Sequence, residues 1–200
     1  MINYYVEYWA SENKNRNEEV VNCINANIKS GFFDNIFIFS SSIEENIYAD
    51  IIISDRITYQ MIFDKSIEGI NVFANSDIQF DESITMALNI KNDEFYALTR
   101  YENDGNLHKH DDPYKGCDSQ DTWIWKDQSK INNANFYIGL PGCDNRIAYV
   151  ADACGYIVKN PALTIKTKHR HTTNIRSGTS SNLQHRLPPP YRLVPIHELD

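Results

Sequence analysis

Asn75-Ser76-Asp77 follows directly on Gly69–Ala74 (GINVFA), a continuous apolar run of the kind a parallel strand buried on both faces requires. Ligands of open α/β sheets bind beyond the carboxyl ends of the strands, so Asp77, with Asp81 shortly after it, stands at a rim where chemistry is expected. A hard oxygen ligand there suits Mg²⁺ or Mn²⁺, which would neutralise a substrate diphosphate. The competing use of Asp77 is to cap a following helix, Glu82–Leu88. His169 and His171 share a face in an extended segment, and either can complete a metal site with Asp77; equally, both fit an exposed basic strand end beside Lys168 and Arg170. Lys168, Arg170 and Arg176 suit a departing diphosphate, because negative charge develops on that leaving group.

Two further segments carry candidate polar groups. Asp118 and Asp121 precede an apolar aromatic run, Thr122–Lys126, that reads as a buried element, so one carboxylate can face a cleft or cap that element. In Gly142–Arg146, glycine permits close approach, and Asp144 and Asn145 can hydrogen-bond sugar hydroxyls or cap a helix beginning near Arg146. His108, His110, Asp111 and Asp112 resemble a metal cluster by composition, but their loop setting and crowding in sequence read as a solvated segment.

Positioning these groups takes a scaffold, and the patterning supplies one. Asn3–Trp9 and Asn35–Phe39 read as strands, separated by a polar loop over Ser11–Asn17 and an amphipathic helix over Glu18–Ile28 that places Val20, Val21, Ile24 and Ile28 on one side. Tyr48–Ile53, Gly69–Ala74, Glu94–Tyr101, Asn135–Gly139 and Tyr156–Val158 are further strands, with helices at Thr58–Phe63 and Arg146–Ala153. This alternation predicts an α/β fold with a central, mostly parallel mixed sheet flanked by helices.

The chain has 200 residues, 42% of them hydrophobic, enough for one core and one domain. A net charge of −8 argues against a nucleic-acid partner. That charge is uneven: from Lys159 onward seven Lys/Arg face two acidic residues, either to cover a small anion or as a solvated basic tail. No apolar stretch suits a membrane span and Met1–Trp9 is no secretory signal, so a cytoplasmic protein is expected, in the host cytoplasm if it is viral. Cys23, Cys117, Cys143 and Cys154 form no CxxC pair and read as free thiols. Leu187–Tyr191 (LPPPY) cannot continue a helix or central strand, so 1–186 is expected as the domain and 187–200 as an extended tail leading to further domains of a longer polypeptide.

Several of these features together resemble a GT-A (Rossmann-like) glycosyltransferase: a first strand, a polar loop with Arg16 and Glu19, a helix carrying Cys23 and Asn25, and a buried strand ending in an acidic tripeptide. The resemblance spans nearly the whole chain and comes closest to the amino-terminal glycosyltransferase domain of large chlorovirus proteins. Asp118–Trp125, Gly139–Arg146 and Lys168–Thr172 belong to the same pattern. The family's tripeptide is usually Asp-x-Asp; here it is Asn75-Ser76-Asp77, so the resemblance makes Asp77 the metal ligand and leaves Asn75 or a water in place of the first carboxylate. It further implies one late histidine on the metal, with His169 and His171 both in place for it. Asp121 then orients an acceptor hydroxyl, and Arg16, Arg56 and Tyr59 stand at the nucleotide, Arg56 on phosphate and Tyr59 stacked on the base. Without the resemblance, Arg56 pairs with Asp55 and Tyr59 is a core aromatic.

The activity implied is transfer of a hexose or deoxyhexose from a UDP-sugar to a glycan hydroxyl with Mn²⁺ or Mg²⁺, with retention weakly preferred and viral capsid glycan synthesis as its setting. Two other readings remain open, a metal-dependent phosphodiester or pyrophosphate hydrolase and a non-catalytic carbohydrate-binding module.

Overall fold

The computed structural model describes residues 1–42, 46–108, 118–171 and 186–199. Strands β1 (Ile2–Glu7), β2 (Asn35–Ser40), β3 (Ile51–Ile53), β4 (Ile70–Ala74), β6 (Glu94–Leu98), β7 (Thr122–Lys126) and β8 (Ile157–Lys159) form one sheet in the order β3-β2-β1-β4-β7-β6-β8. The first four run parallel, β7 is antiparallel to both neighbours, and β8 is parallel to β6. The chain moves outward from β1 to β3 and returns to β4 on the other side of β1. That reversal opens a crevice at the carboxyl ends of β1 and β4, where such sheets bind ligands.

Alternation along the strands divides the core between the two faces. Tyr4, Val6, Val72, Tyr96 and Ile124 face helix α1 (Lys14–Lys29), which packs Val20, Val21 and Ile24 on them. Tyr5, Phe73, Phe95, Trp123 and Trp125 face α2 (Tyr59–Asp64) and α3 (Cys143–Ala153). Phe73 and Trp123 stack at 5.3 Å between centroids, and Tyr59 meets Trp123 edge-on at 5.1 Å. Such aromatic pairs contribute about 1 kcal/mol each beyond their buried area.

Local chemistry accounts for the departures from the sequence reading. Helix α1 begins at Lys14, inside the expected loop, because the Asn13 side chain accepts from Arg16 N at 3.0 Å and supplies the cap. Thr58 caps α2 in the same way. The helix expected after Asp77 is a 3-10 helix over Glu82–Asn89, capped by Asp81 rather than Asp77. Asn135–Gly139 is not a strand: it is irregular, its ladder pairing is limited to an isolated bridge from Tyr137 to Thr58, and it turns at Gly139, whose φ is 76°. Two three-residue strands that the patterning does not reveal, β5 (Ile78–Phe80) and β9 (Thr167–His169), pair antiparallel beside the main sheet.

Residues 187–199 are extended and lie on the body. Val194 is 1% exposed in the core, and His197 N donates to Asn160 O at 3.0 Å. Among the described residues, Cys23 and Cys143 are buried free thiols and Cys154 is a half-buried one, whereas Cys117 lies outside the described residues. No helix among the described residues is long and apolar enough to cross a membrane.

Candidate functional site at Asp77

Strand β4 is buried along its length and ends at Ala74, so the chain must turn at Asn75-Ser76-Asp77; Ile78 N closes that turn on Asn75 O at 3.1 Å. The turn feeds β5, whose Ile78 stands opposite His169 of β9. This pairing brings a segment some ninety residues away onto Asp77, and Arg170 N fixes it by donating to Asp77 O at 2.8 Å.

Three side chains converge on a single oxygen, Asp77 Oδ2. Arg16 Nη2, from the first turn of α1, lies 2.5 Å away, His169 Nε2 3.1 Å and His171 Nδ1 4.0 Å. Burial works against the charge on Asp77, but hydrogen bonds and charge from His169 and Arg16 outweigh it and hold the carboxyl well below its ordinary range. Burial opposes a charge on His169 too, yet Asp77 overrides it and raises its pKa, whereas burial, Arg16 and His169 together lower that of His171.

One ligand atom from each of Asp77, His169 and His171 can be chosen so that all lie within 4.8 Å of one another. His171 Nε2 is buried with no hydrogen-bond partner, an arrangement that costs stability unless something occupies it. A carboxylate, two imidazoles and an orphaned buried nitrogen fit a divalent metal ion.

Two clefts meet at Arg16 and Asp77. One, of about 520 Å³, runs along the carboxyl ends of the parallel strands and is lined among others by Glu7, Trp9, Ser40, Arg56, Asn75 and Ser76. The other, of about 640 Å³, lies on the antiparallel side between Arg100, Glu102, Asp118, Asn145, His169 and His171. Asn145, in the first turn of α3, is 5% exposed and its Oδ1 has no partner. Gly142, at φ 83°, caps that helix without a side chain, and a Cβ there would stand 3.2 Å from the Tyr191 hydroxyl.

The remaining expected site residues separate into those the clefts expose and those they do not. Arg56 borders the first cleft, donates to Ile138 O at 2.8 Å and lies over the Tyr137 ring, in place of an ion pair with Asp55. Tyr59 does not reach a nucleotide: it is fully buried among Phe73, Trp123 and Phe136, and its expected role as a stacking platform is corrected to that of a core aromatic. Lys168 points away from Asp77, because neighbours in a strand alternate in direction, and it pairs with Asp81 at 3.0 Å. Asp121 is 6% exposed, with Oδ1 accepting from Asn75 Nδ2 and Oδ2 from Arg100 Nη1, both at 2.9 Å, which makes it a buried ion-pair partner.

Asp144 is half-buried in the first turn of α3, and burial first, then the charge of Asp121, pushes its pKa up to about 7. Two of the late basic residues form ion pairs away from Asp77, Lys159 with Glu94 and Arg192 with Asp152. Arg176, with His110, Asp111 and Asp112, lies outside the described residues.

The patterning missed Glu102. It accepts from Arg100 Nε at 3.0 Å and meets His169 Nδ1 at 3.2 Å and His108 Nδ1 at 2.8 Å. The available signal was the spacing of Arg100 and Glu102 at the end of β6, which puts both on one face of an extended segment.

The mixed sheet, with its switch-point crevice and the acidic turn after β4, is a Rossmann-like α/β fold, and a solved glycosyltransferase structure shares it. The solved structure of the mannosyltransferase PcManGT from Pyrobaculum calidifontis, in complex with GDP-Man and Mn²⁺, matches with a TM-score of 0.56 and 8% identity. The match covers 86% of this chain and 57% of that one, so this chain spans little more than half the length of that enzyme. No family profile and no curated protein matches the sequence.

Proposed function

We propose that this chain is a metal-dependent glycosyltransferase that moves a sugar from a nucleotide-sugar donor to an acceptor hydroxyl. The observation that carries the reading is the convergence of His169 and His171 on Asp77, at the end of a buried parallel strand and at the junction of two clefts.

The cleft along the parallel strands takes the nucleotide, with Arg56 and Ser76 on its wall and Asn75 at the turn. Arg16 opens onto both clefts, so its guanidinium can bind the diphosphate at the point where the sugar leaves. A divalent metal held by Asp77, His169 and His171 would neutralise the diphosphate and stabilise its departure. The second cleft takes the acceptor: the unpartnered Asn145 Oδ1 accepts from a sugar hydroxyl, and Asp118 replaces Asp121 as the carboxylate that orients the attacking one. Asp121 holds Arg100 in place, and Lys168 has no part in the transfer.

A UDP-linked hexose or deoxyhexose is the donor the sequence resemblance implies, and the GDP-Man bound by PcManGT is the alternative the fold supports. A glycan acceptor, a setting in viral capsid glycan synthesis and further domains in the same polypeptide rest on the sequence resemblance alone.

Calorimetric titration with UDP, GDP and their sugars, with and without Mn²⁺, tests the reading against an Asp77→Ala variant. Metal-dependent nucleotide binding that Asp77→Ala abolishes supports it. Glycan binding that needs neither nucleotide nor metal overturns it in favour of a binding module, and diphosphate hydrolysis indifferent to every acceptor overturns it in favour of a hydrolase.

A further inference from the structure

The candidate metal site is more complete than a site that relies on its nucleotide to finish the coordination shell. The protein alone brings one carboxylate oxygen and two imidazole nitrogens to within 4.8 Å of one another. At ordinary metal–ligand bond lengths, neighbouring ligand atoms stand roughly 3 Å apart. Asp77 Oδ2 and His169 Nε2 are already 3.1 Å apart, so the main adjustment falls on His171. Its backbone is anchored nearby, with His171 O accepting from Asn103 Nδ2 at 2.7 Å.

The outer nitrogen of His169 meets Glu102, itself held by Arg100, an orienting contact of the type that fixes a ligating imidazole. Imidazole nitrogen suits first-row transition ions, whereas Mg²⁺ prefers carboxylate and water oxygen and dehydrates reluctantly. Arg16 lies 2.5 Å from the oxygen a metal would need, so it is the cation that an incoming metal displaces.

Resting on the proposed transferase site, we infer that Asp77, His169 and His171 form a self-sufficient transition-metal centre that loads before the nucleotide, prefers Zn²⁺ and Co²⁺ to Mn²⁺, and rejects Mg²⁺. Glu102 acts there as a positioning residue and Arg16 as the competitor for the site.

The test is a titration of the metal-free protein with Co²⁺, read by its visible absorption bands, with no nucleotide present. Saturation at one ion per chain is expected, with displacement by Zn²⁺ at near-stoichiometric amounts, by Mn²⁺ only in excess, and none by Mg²⁺ at roughly 100-fold excess. Glu102→Gln should weaken Co²⁺ binding by about tenfold and His171→Ala by more, whereas Arg16→Ala should tighten it, an opposite sign that general loss of structure would not produce. Melting temperatures verify that the variants fold, and the wild-type titration decides the matter if His171→Ala does not.

Co²⁺ binding that requires added UDP or GDP, or displacement by Mg²⁺ at comparable concentration, overturns the inference while leaving the transferase reading intact. Nucleotide-free metal binding at this centre, with no nucleotide bound under any condition, supports the inference and removes the transferase reading.

Discussion

Asp77 and Asp121 stand at the same end of adjacent strands, each buried and each paired with an arginine, yet one pair is complete and the other is not. Asp121 has both oxygens engaged, by Asn75 and Arg100, each at 2.9 Å. Around Asp77 the side-chain contacts of the described residues fall on one oxygen, and the imidazole beside it keeps a buried nitrogen without a partner. A fully hydrogen-bonded ion pair is a structural joint, whereas an unsatisfied cluster between two clefts is a place for a ligand.

Substitution at the two positions should therefore give opposite profiles. The largest effect on function is expected from Asp77→Ala, which should weaken metal-dependent nucleoside diphosphate binding by about 100-fold or more, measured by calorimetry, because it removes the one carboxylate that the described residues bring to the candidate centre. Asp121→Ala should act on stability: leaving Arg100 buried without one partner costs about 3 kcal/mol, read from chemical denaturation, with nucleotide affinity changed far less. If Asp121→Ala abolishes nucleotide binding in a protein of normal stability, the contrast fails.

Asp144 sharpens the comparison through pH. Its folded pKa of about 7 lies above an unfolded value of about 3.9, so its favourable contribution is fully present below pH 4 and is lost as pH rises toward and through 7. Asp144→Asn should consequently stabilise the protein by on the order of 2 kcal/mol at pH 8 and by nothing measurable near pH 4, as followed by denaturation at the two pH values. A pH-independent difference would mean that the two states hold this carboxyl alike. The smallest effect belongs to Lys168→Ala, which breaks a half-exposed pair with Asp81: under about 1 kcal/mol of stability and no change in nucleotide affinity.

The two corners also differ in how far the sequence disclosed them. Asp77 was legible because an uninterrupted apolar strand runs directly into it, and His169 with His171 because their spacing puts them on one face. Their convergence was not, since it depends on β5 and β9, three-residue strands too short to carry any periodicity and paired across a long stretch of chain.

The ion pair of Asp121 was hidden for a similar reason: Arg100 follows the neighbouring antiparallel strand β6, and nothing local to Asp121 announces it. Tyr59 is a different case. Tyr59, Ile62 and Phe63 already sit at helical spacing, so the signal for a core face was present, and it was the resemblance that implied a stacking role, which burial of the ring denies. The sheet itself was largely readable because its parallel strands are nearly continuous apolar runs, whereas Asn135–Gly139 shows that apolar residues between turns need not pair.

The central claim, a metal at Asp77 bridging protein and nucleotide, is tested most directly by a crystal structure of the protein with Mn²⁺ and GDP or UDP, using the anomalous scattering of manganese to place the ion. A single anomalous peak in contact with Asp77, His169, His171 and the diphosphate oxygens is the expected result. A nucleotide bound with the manganese elsewhere, or with Arg16 still closed on Asp77, would contradict it.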